Sequence, residues 1–224
     1  MITKEIYQIG GSGFSAPEDA AAYLIYMDGR AAIVDAGCGK ATEQLLENIR
    51  RCNVREEVID YLLITHCHFD HTGGAAELKK QLDLKVVAHV RAAEYLEKGD
   101  QTVTAASWYG EELKPLSVDL RLRQPEEKVL LGKREITALH MPGHSPGSVV
   151  YWVNSEGQKI LFGQDVHGPI HSDLLSDPVA YQKSLQRLLD LNADILCEGH
   201  YGVFHGQEKV REFINSFIEG SSPN

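Results

Sequence analysis

Cysteine is scarce in this chain. Four occur in 224 residues (Cys38, Cys52, Cys67 and Cys197), and no two form a C-x-x-C pair. That sparse spacing excludes a disulfide-framed scaffold. Long apolar runs are missing too: none approaches the ~20 residues that cross a bilayer, and the opening M-I-T-K-E-I-Y-Q-I-G lacks the apolar region of a secretion signal. Positive charge is in the minority, with 22 Lys and Arg against 32 Asp and Glu and a net charge of −10. Such a surface repels phosphate backbones, so general nucleic-acid binding is not expected. Arg121, Arg123, Lys128, Lys133 and Arg134 are dispersed among acids and read as ordinary strand surface. Linkers, repeats and low-complexity segments are absent. These absences lead to the expectation of a soluble cytoplasmic protein, one domain over 1–219 and a flexible tail over 220–224.

What is present is a globular mixture, 43% hydrophobic and 24% charged. Strands are predicted at Glu5 to Ile9, Ala21 to Met27 and Ala31 to Val34, the last two joined by Asp28-Gly29, a strong hairpin signal. The loop G-G-S-G-F-S-A-P lacks the Gly-Lys-Ser/Thr of a phosphate loop and opens no convincing helix. Ala41 to Arg51, Gly74 to Leu82 and Arg91 to Lys98 have helical character. Tyr61 to Ile64 and Lys85 to Ala88 read as strands. In the second half, strands are expected at Ser117 to Arg123, Val129 to Leu131, Arg134 to Leu139, Ser148 to Val153, Lys159 to Phe162 and Asp194 to Cys197. Val118, Leu120 and Leu122 are expected on one face. Asp177-Pro178 starts a helix with Asp as N-cap and Pro at the first turn. Val210, Phe213, Ile214, Phe217 and Ile218 line a last helix.

One stretch stands apart. T-H-C-H-F-D-H-T-G-G, residues 65–74, follows the apolar run Tyr61 to Ile64 directly. Side chains two apart in extended backbone point the same way, so His66 and His68 can reach one cation. Asp70 and His71 need a turn to converge on a second point, and Thr72-Gly73-Gly74 permits one. A polar loop rich in histidine by chance is the competing reading. Packing three imidazoles and a carboxylate together without a cation costs desolvation and repulsion, which favours metal binding.

Three more candidates follow strand signals: His144 in M-P-G-H-S-P-G-S, Asp165 in L-F-G-Q-D-V and His200 in C-E-G-H-Y-G. Alone, each reads as a loop histidine or a cap.

Taken in order, T-H-C-H-F-D-H, G-H-S-P-G-S, G-Q-D and G-H-Y resemble the metallo-β-lactamase superfamily over nearly the whole chain. The likeness is to its glyoxalase II-like subset without the glutathione-binding C-terminal region, since only 201–224 follow the last motif. The resemblance implies an α/β fold, an αββα sandwich of two mixed sheets flanked by helices. It also implies two divalent metal ions: His66, His68 and His144 on the first, Asp70, His71 and His200 on the second, and Asp165 bridging both. Zinc suits these donors, as do iron and manganese. Class B1 β-lactamases carry Cys at the bridging position, so antibiotic hydrolysis is not the expected activity. The family's Gly-Asp is here Gly-Gln-Asp, which leaves Asp173 and Asp177 as fallback ligands. A basic tRNA-gripping insertion and an appended flavin domain, found in other branches, are absent.

The activity implied is hydrolysis of a small-molecule thioester, ester or lactone by a metal-bridged hydroxide, with Asp70 also orienting the nucleophile or relaying a proton. Nucleic acid and membrane are not expected partners, and the oligomeric state is open, a homodimer included. Two alternatives stand beside it. One is a mononuclear iron enzyme like the persulfide dioxygenases, using His66, His144 and Asp165; the other is a non-catalytic metal-binding sensor or scaffold. H-G-P-I-H-S-D-L replaces the segment that follows the bridging Asp in persulfide dioxygenases and glyoxalase II. Around the site, His167 is weighed equally as pocket lining or loop, and His171 is similar. His89, His140 and His205 read as structural or surface. Cys67 points away from its neighbours by alternation, Cys38 reads as small core, and Trp108, Tyr109 and Tyr201 are candidates for a hydrophobic wall.

Overall fold

The computed structural model describes residues 1–219, and the tail expected at 220–224 lies outside the described residues. Among these, strands form two six-stranded sheets. The first runs in chain order: β1 (Ile6–Gln8), β2 (Tyr23–Met27), β3 (Arg30–Val34), β4 (Ile59–Leu63), β5 (Lys85–His89) and β6 (Leu120–Leu122). Pairing is antiparallel from β1 to β3 and parallel from β3 to β6. The turn between β2 and β3 has positive φ at both Asp28 and Gly29, the hairpin geometry that Asp-Gly favours. The parallel pairs need crossovers, which contain α1 (Thr42–Arg51), the one-turn helix α2 (Phe69–Thr72), α3 (Ala75–Gln81) and α4 (Val90–Lys98).

The second sheet is also sequential: β7 (Glu126–Leu131), β8 (Arg134–His140), β9 (Val149–Ser155), β10 (Gln158–Gln164), β11 (Ile195–Glu198) and β12 (Val203–His205). Its one parallel pair, β10 with β11, is bridged by α5 (Pro178–Asp190). Asp177 Oδ1 accepts hydrogen bonds from the backbone N–H groups of Val179 and Ala180, the expected N-cap. Helix α6 (Gln207–Glu219) closes the described chain and packs on α5.

Alternation along the strands builds three apolar layers. Leu24, Ile33, Leu62 and Val86 face Leu45, Leu46, Ile49, Leu78 and Leu96 of the helices. Tyr23, Ile25, Leu63 and Val87 meet Ile136, Tyr151, Phe162 and Cys197 between the sheets. Leu161 and Leu196 meet Leu185, Leu188, Val210 and Ile214 on the far side. The result is helix, sheet, sheet, helix. Buried tyrosines clamp the two sheets near their carboxyl ends: Tyr151 donates to the Ile64 carbonyl at 3.0 Å and Tyr23 to the Glu198 carbonyl at 2.7 Å. No helix among the described residues is long and apolar enough to cross a membrane.

The segment Ser117 to Arg123 differs from expectation. Only Leu120–Leu122 is strand. Val118 packs with the helices, Leu122 lies between the sheets and Leu120 is exposed. The chain enters the sheet edge late because Asp119 Oδ2 accepts from Val86 N and from Lys79 Nζ, capping the edge before the ladder begins.

Candidate metal centre

The carboxyl ends of β4, β10 and β11 converge where the two sheets meet, and each releases a candidate ligand. Beyond β4 the chain bends at Thr65 and reaches His68 in an extended conformation. His66 Nε2 and His68 Nδ1 lie 3.0 Å apart, while Cys67 turns into the helix-side core, as alternation requires. Helix α2 then starts at Phe69 and swings Asp70 and His71 towards the same end of the sheet. Gly73 and Gly74 follow, but their reason differs from a tight bend. Both have helical φ values (−57° and −81°). A Cβ on Gly73 would stand 2.3 Å from the Cys38 carbonyl oxygen, and one on Gly74 2.4 Å from that of Ala36. Glycine is required by the close approach of the segment leaving β3.

His144 Nε2, from the loop between β8 and β9, lies 2.9 Å from His68 Nδ1 and 3.3 Å from His66 Nε2. Three ring nitrogens therefore converge. Asp165, just past β10, offers one oxygen to each side. Its Oδ2 is 3.4 Å from His144 Nε2 and 3.7 Å from His66 Nε2. Its Oδ1 is 3.0 Å from His71 Nε2 and 3.4 Å from His200 Nε2. Asp70 Oδ2 completes the second cluster, 3.1 Å from His200 Nε2 and 3.8 Å from His71 Nε2. Among the described residues, His66, His68, His144 and Asp165 form one group able to hold a cation, and Asp70, His71 and His200 another.

The donor set fits metal ions for a reason internal to the protein. His71 Nε2 and Asp165 Oδ1, which face the second group, are buried without a hydrogen-bond partner, a costly arrangement. The far nitrogen of His68, Nε2, is also unpaired, whereas those of the other three buried rings are supported. His71 Nδ1 meets Asp35 Oδ2 at 2.7 Å, His66 Nδ1 meets Thr65 Oγ1 at 3.0 Å, and His144 Nδ1 meets the Pro169 carbonyl at 2.8 Å. Such backing fixes ring orientation and tautomer in metal sites.

Electrostatics separates the two groups. Burial, reinforced by neighbouring imidazoles, holds His66 well below the usual histidine range and brings His68 down to about 3. At His71 burial opposes charge, yet the carboxylates of Asp165, Asp70 and Asp35 outweigh it and raise the group well above its ordinary value. His200 follows the same balance, raised to about 10 by Asp165 and Asp70 against burial. Burial likewise works against the charge of Asp165, but His71, His144 and His200 hold its carboxyl well below the ordinary range.

Two acids that sequence reasoning passed over support this constellation. Asp35, at the end of β3 with φ of 59°, accepts from Thr65 N and Oγ1 as well as facing His71. Glu198, the fully buried last residue of β11, accepts from Val166 N and His167 through Oε1 and from His200 N and Tyr201 N through Oε2. The available signal was the same in each case as for Asp165, an acid at the end of an apolar strand run.

The remaining candidates sort by position. Asp177 caps α5, and Asp173 pairs with His171 at 3.8 Å on the exposed surface, so neither replaces Asp165. His89 and His140 stack face to face at 3.8 Å outside both groups. Cys38 is buried in the helix-side core, and His205 is exposed on β12. His167 lies at the site: a ring nitrogen groups with Asp165 and His200 within 4.8 Å. A cavity of about 260 Å³ opens onto His68, Asp70, Asp165 and His200, walled by Trp108, Tyr109, Pro169 and Leu174. Tyr201 is 60% exposed and packs beside His167 at 5.0 Å rather than walling that cavity.

A family model described as the metallo-beta-lactamase superfamily matches residues 16–200. The hydroxyacylglutathione hydrolase GloC of Haemophilus influenzae is 30% identical over 203 residues, covering 86% of this chain and 92% of the relative. The acyl-coenzyme A thioesterase MBLAC2 of Homo sapiens is 31% identical over 178 residues, covering 69% of this chain; the match spans 60% of that relative's length. Among solved structures, BJP-1, a subclass B3 metallo-beta-lactamase of Bradyrhizobium japonicum, superposes with a TM-score of 0.80 at 22% identity, covering 98% of this chain and 90% of that one. At that identity the likeness is one of fold.

Proposed function

We propose that this chain, which belongs to the metallo-β-lactamase superfamily, is a dinuclear metal-dependent hydrolase of small-molecule thioesters. The observation that carries the reading is Asp165. One carboxylate oxygen faces the imidazoles of His66 and His144 and the other faces those of His71 and His200, the placement a bridging ligand needs.

In this reading His66, His68 and His144 would hold one divalent cation and Asp70, His71 and His200 the second, with Asp165 available to both. Zinc suits the donors, and iron or manganese would accept them. When bound, the pair supplies an acidified water and a Lewis acid for the carbonyl oxygen. The protein's own part is position and exclusion. Asp35 and Thr65 hold the His71 and His66 rings, and Asp70, which lines the cavity with Tyr109, can orient the attacking water or hold its proton. Trp108, Tyr109, Pro169 and Leu174 give the acyl group an apolar wall and keep bulk water from it.

The choice of thioesters rests on the names of the relatives, a hydroxyacylglutathione hydrolase and an acyl-coenzyme A thioesterase. A mononuclear iron site built on His66, His144 and Asp165 gains no support, because Asp70, His71 and His200 are gathered as closely as the first group. The test is metal reconstitution with zinc, iron and manganese followed by an ester, thioester, lactone and phosphodiester panel. Thioester turnover that disappears in His66→Ala and Asp70→Ala supports the proposal. Unchanged turnover in the metal-free protein contradicts it.

A further inference from the structure

The wall of the metal cavity comes from two loops, and one contact joins them. Trp108 and Tyr109 lie in a short helical turn, Ala106–Tyr109, within the connection from α4 to β6. Pro169 and Leu174 lie in the connection from β10 to α5. All four line the 260 Å³ cavity. His171 belongs to the second loop and stands outside that lining. Its ring meets Trp108 with 5.1 Å between centroids and 88° between planes. This is the edge-to-face arrangement that aromatic rings favour, and it ties the two halves of the wall together.

Each half is braced from behind. Phe69 N donates to the Thr104 carbonyl at 2.7 Å, and the Phe69 and Tyr109 rings pack at 5.5 Å. The first loop is thereby fixed to the helix that carries Asp70 and His71. In the second loop, Asp173 N meets His171 Nδ1 at 3.2 Å, and Ser176 N donates to the His171 carbonyl at 3.2 Å. Ser176 Oγ then donates to the His144 carbonyl at 2.6 Å, which anchors this loop to the one that carries His144. A wall held at both ends is a fixed boundary for whatever lies against it.

The cavity it bounds is small. Pockets that enclose a drug-sized ligand run to about 300–1,000 Å³, so 260 Å³ suits a short acyl group beside the reacting carbonyl. The other side of the site is wetter: His200 is partly exposed and Tyr201 lies open to solvent next to it. The apolar acyl half belongs against Trp108, and the thiol half leaves by the wet side. Resting on the thioesterase reading above, we infer that Trp108 is a specificity-determining residue that limits the acyl half to short chains, with His171 as the positioning residue that holds its ring. The substrate class is a short-chain acyl thioester. A longer chain must push the indole off His171, which costs the aromatic contact and exposes apolar surface.

The test compares two thioesters of one thiol, butyryl- and octanoyl-N-acetylcysteamine, on the zinc-loaded protein. Wild type is expected to favour butyryl by about tenfold or more in kcat/KM. Trp108→Ala brings the ratio to near one or inverts it, chiefly through a lower KM for octanoyl. His171→Ala, which removes the brace without touching the cavity lining, moves the ratio the same way, and His171→Phe, which keeps a ring there, restores most of the preference. A wild-type ratio near one or in favour of octanoyl, or a ratio that survives Trp108→Ala, overturns the inference and leaves the hydrolase reading standing. A ratio unmoved by His171→Ala overturns the positioning role of His171. A metal-loaded protein that cleaves neither thioester overturns both the inference and the thioesterase reading.

Discussion

Asp35 Oδ2 lies 2.7 Å from His71 Nδ1. The contact spans 36 residues of sequence and ties the end of β3 to the one-turn helix that carries Asp70 and His71. The same carboxylate accepts from Thr65 N and Oγ1, and Thr65 Oγ1 in turn meets the His66 ring. A single acid therefore stands behind one imidazole of each proposed metal group.

Replacement of Asp35 tests that link. Asp35→Ala strands His71 Nδ1 and the Thr65 N–H in a buried setting and should cost about 2–4 kcal/mol of stability. Asp35→Asn keeps one acceptor oxygen and should cost less. Where the variant folds, affinity for the second metal equivalent should fall about 10–100-fold. Denaturant titration and competition with a chromogenic chelator measure the two effects separately.

Gly199 is a steric test of the same centre. A Cβ there would stand 2.5 Å from Asp165 Oδ1 and 3.0 Å from His71 Cε1. Gly199→Ala should push the Asp165 carboxylate out of line and lower turnover by about 100-fold, with the metal content reduced. Wild-type kinetics in this variant would show that the oxygen has no role in the centre.

Proton linkage gives a third expectation. His71 and His200 are both held protonated above their ordinary value by Asp165 and Asp70, His200 to about 10. A cation can bind only once those protons leave. Metal binding near pH 7 should therefore release protons, and affinity for the second equivalent should rise with pH between about 6.5 and 10. In the metal-free protein the same raised values contribute stability that is complete below pH 6.5 and lost as pH rises through about 10 for His200. Calorimetric titration in buffers of different ionisation enthalpy measures the proton count.

The stacked pair His89 and His140 has the opposite sign. Burial first, then the neighbouring imidazole and Arg91, bring His89 down to about 4, and burial also lowers His140. Depressed histidines stabilise the fold only while neutral, so their contribution is intact above pH 6.5 and lost as pH falls towards 4. His140→Phe keeps the stack and should flatten the acid limb of the Tm profile between those values.

The reach of the sequence into this structure was uneven, for physical reasons. The pairing of His66 with His68, and the turning away of Cys67, followed from strand alternation. The Asp-Gly hairpin and the Asp177-Pro178 helix start were equally local and equally legible. His144, Asp165 and His200 were different. Each leaves a separate strand end, and their convergence is a tertiary fact that only the family resemblance anticipated. Asp35 and Glu198 are not legible in the sequence because the partners of their carboxylates lie up to 36 and 32 residues away, and an acid closing an apolar run looks like a turn. Gly73 and Gly74 look like bend residues in the sequence, whereas the constraint comes from the Cys38 and Ala36 carbonyls pressed against them. The strand expected at Ser117 to Arg123 shrank to Leu120–Leu122 because Asp119 spends its carboxylate on Val86 and Lys79.

Metal stoichiometry tests the central claim most directly. Elemental analysis of the reconstituted wild-type protein should give close to two equivalents per chain. Asp165→Ala should weaken both, His66→Ala should remove chiefly the first and His71→Ala chiefly the second, with thioester turnover lost in all three. One tightly held equivalent that survives His71→Ala with full turnover would contradict the dinuclear account.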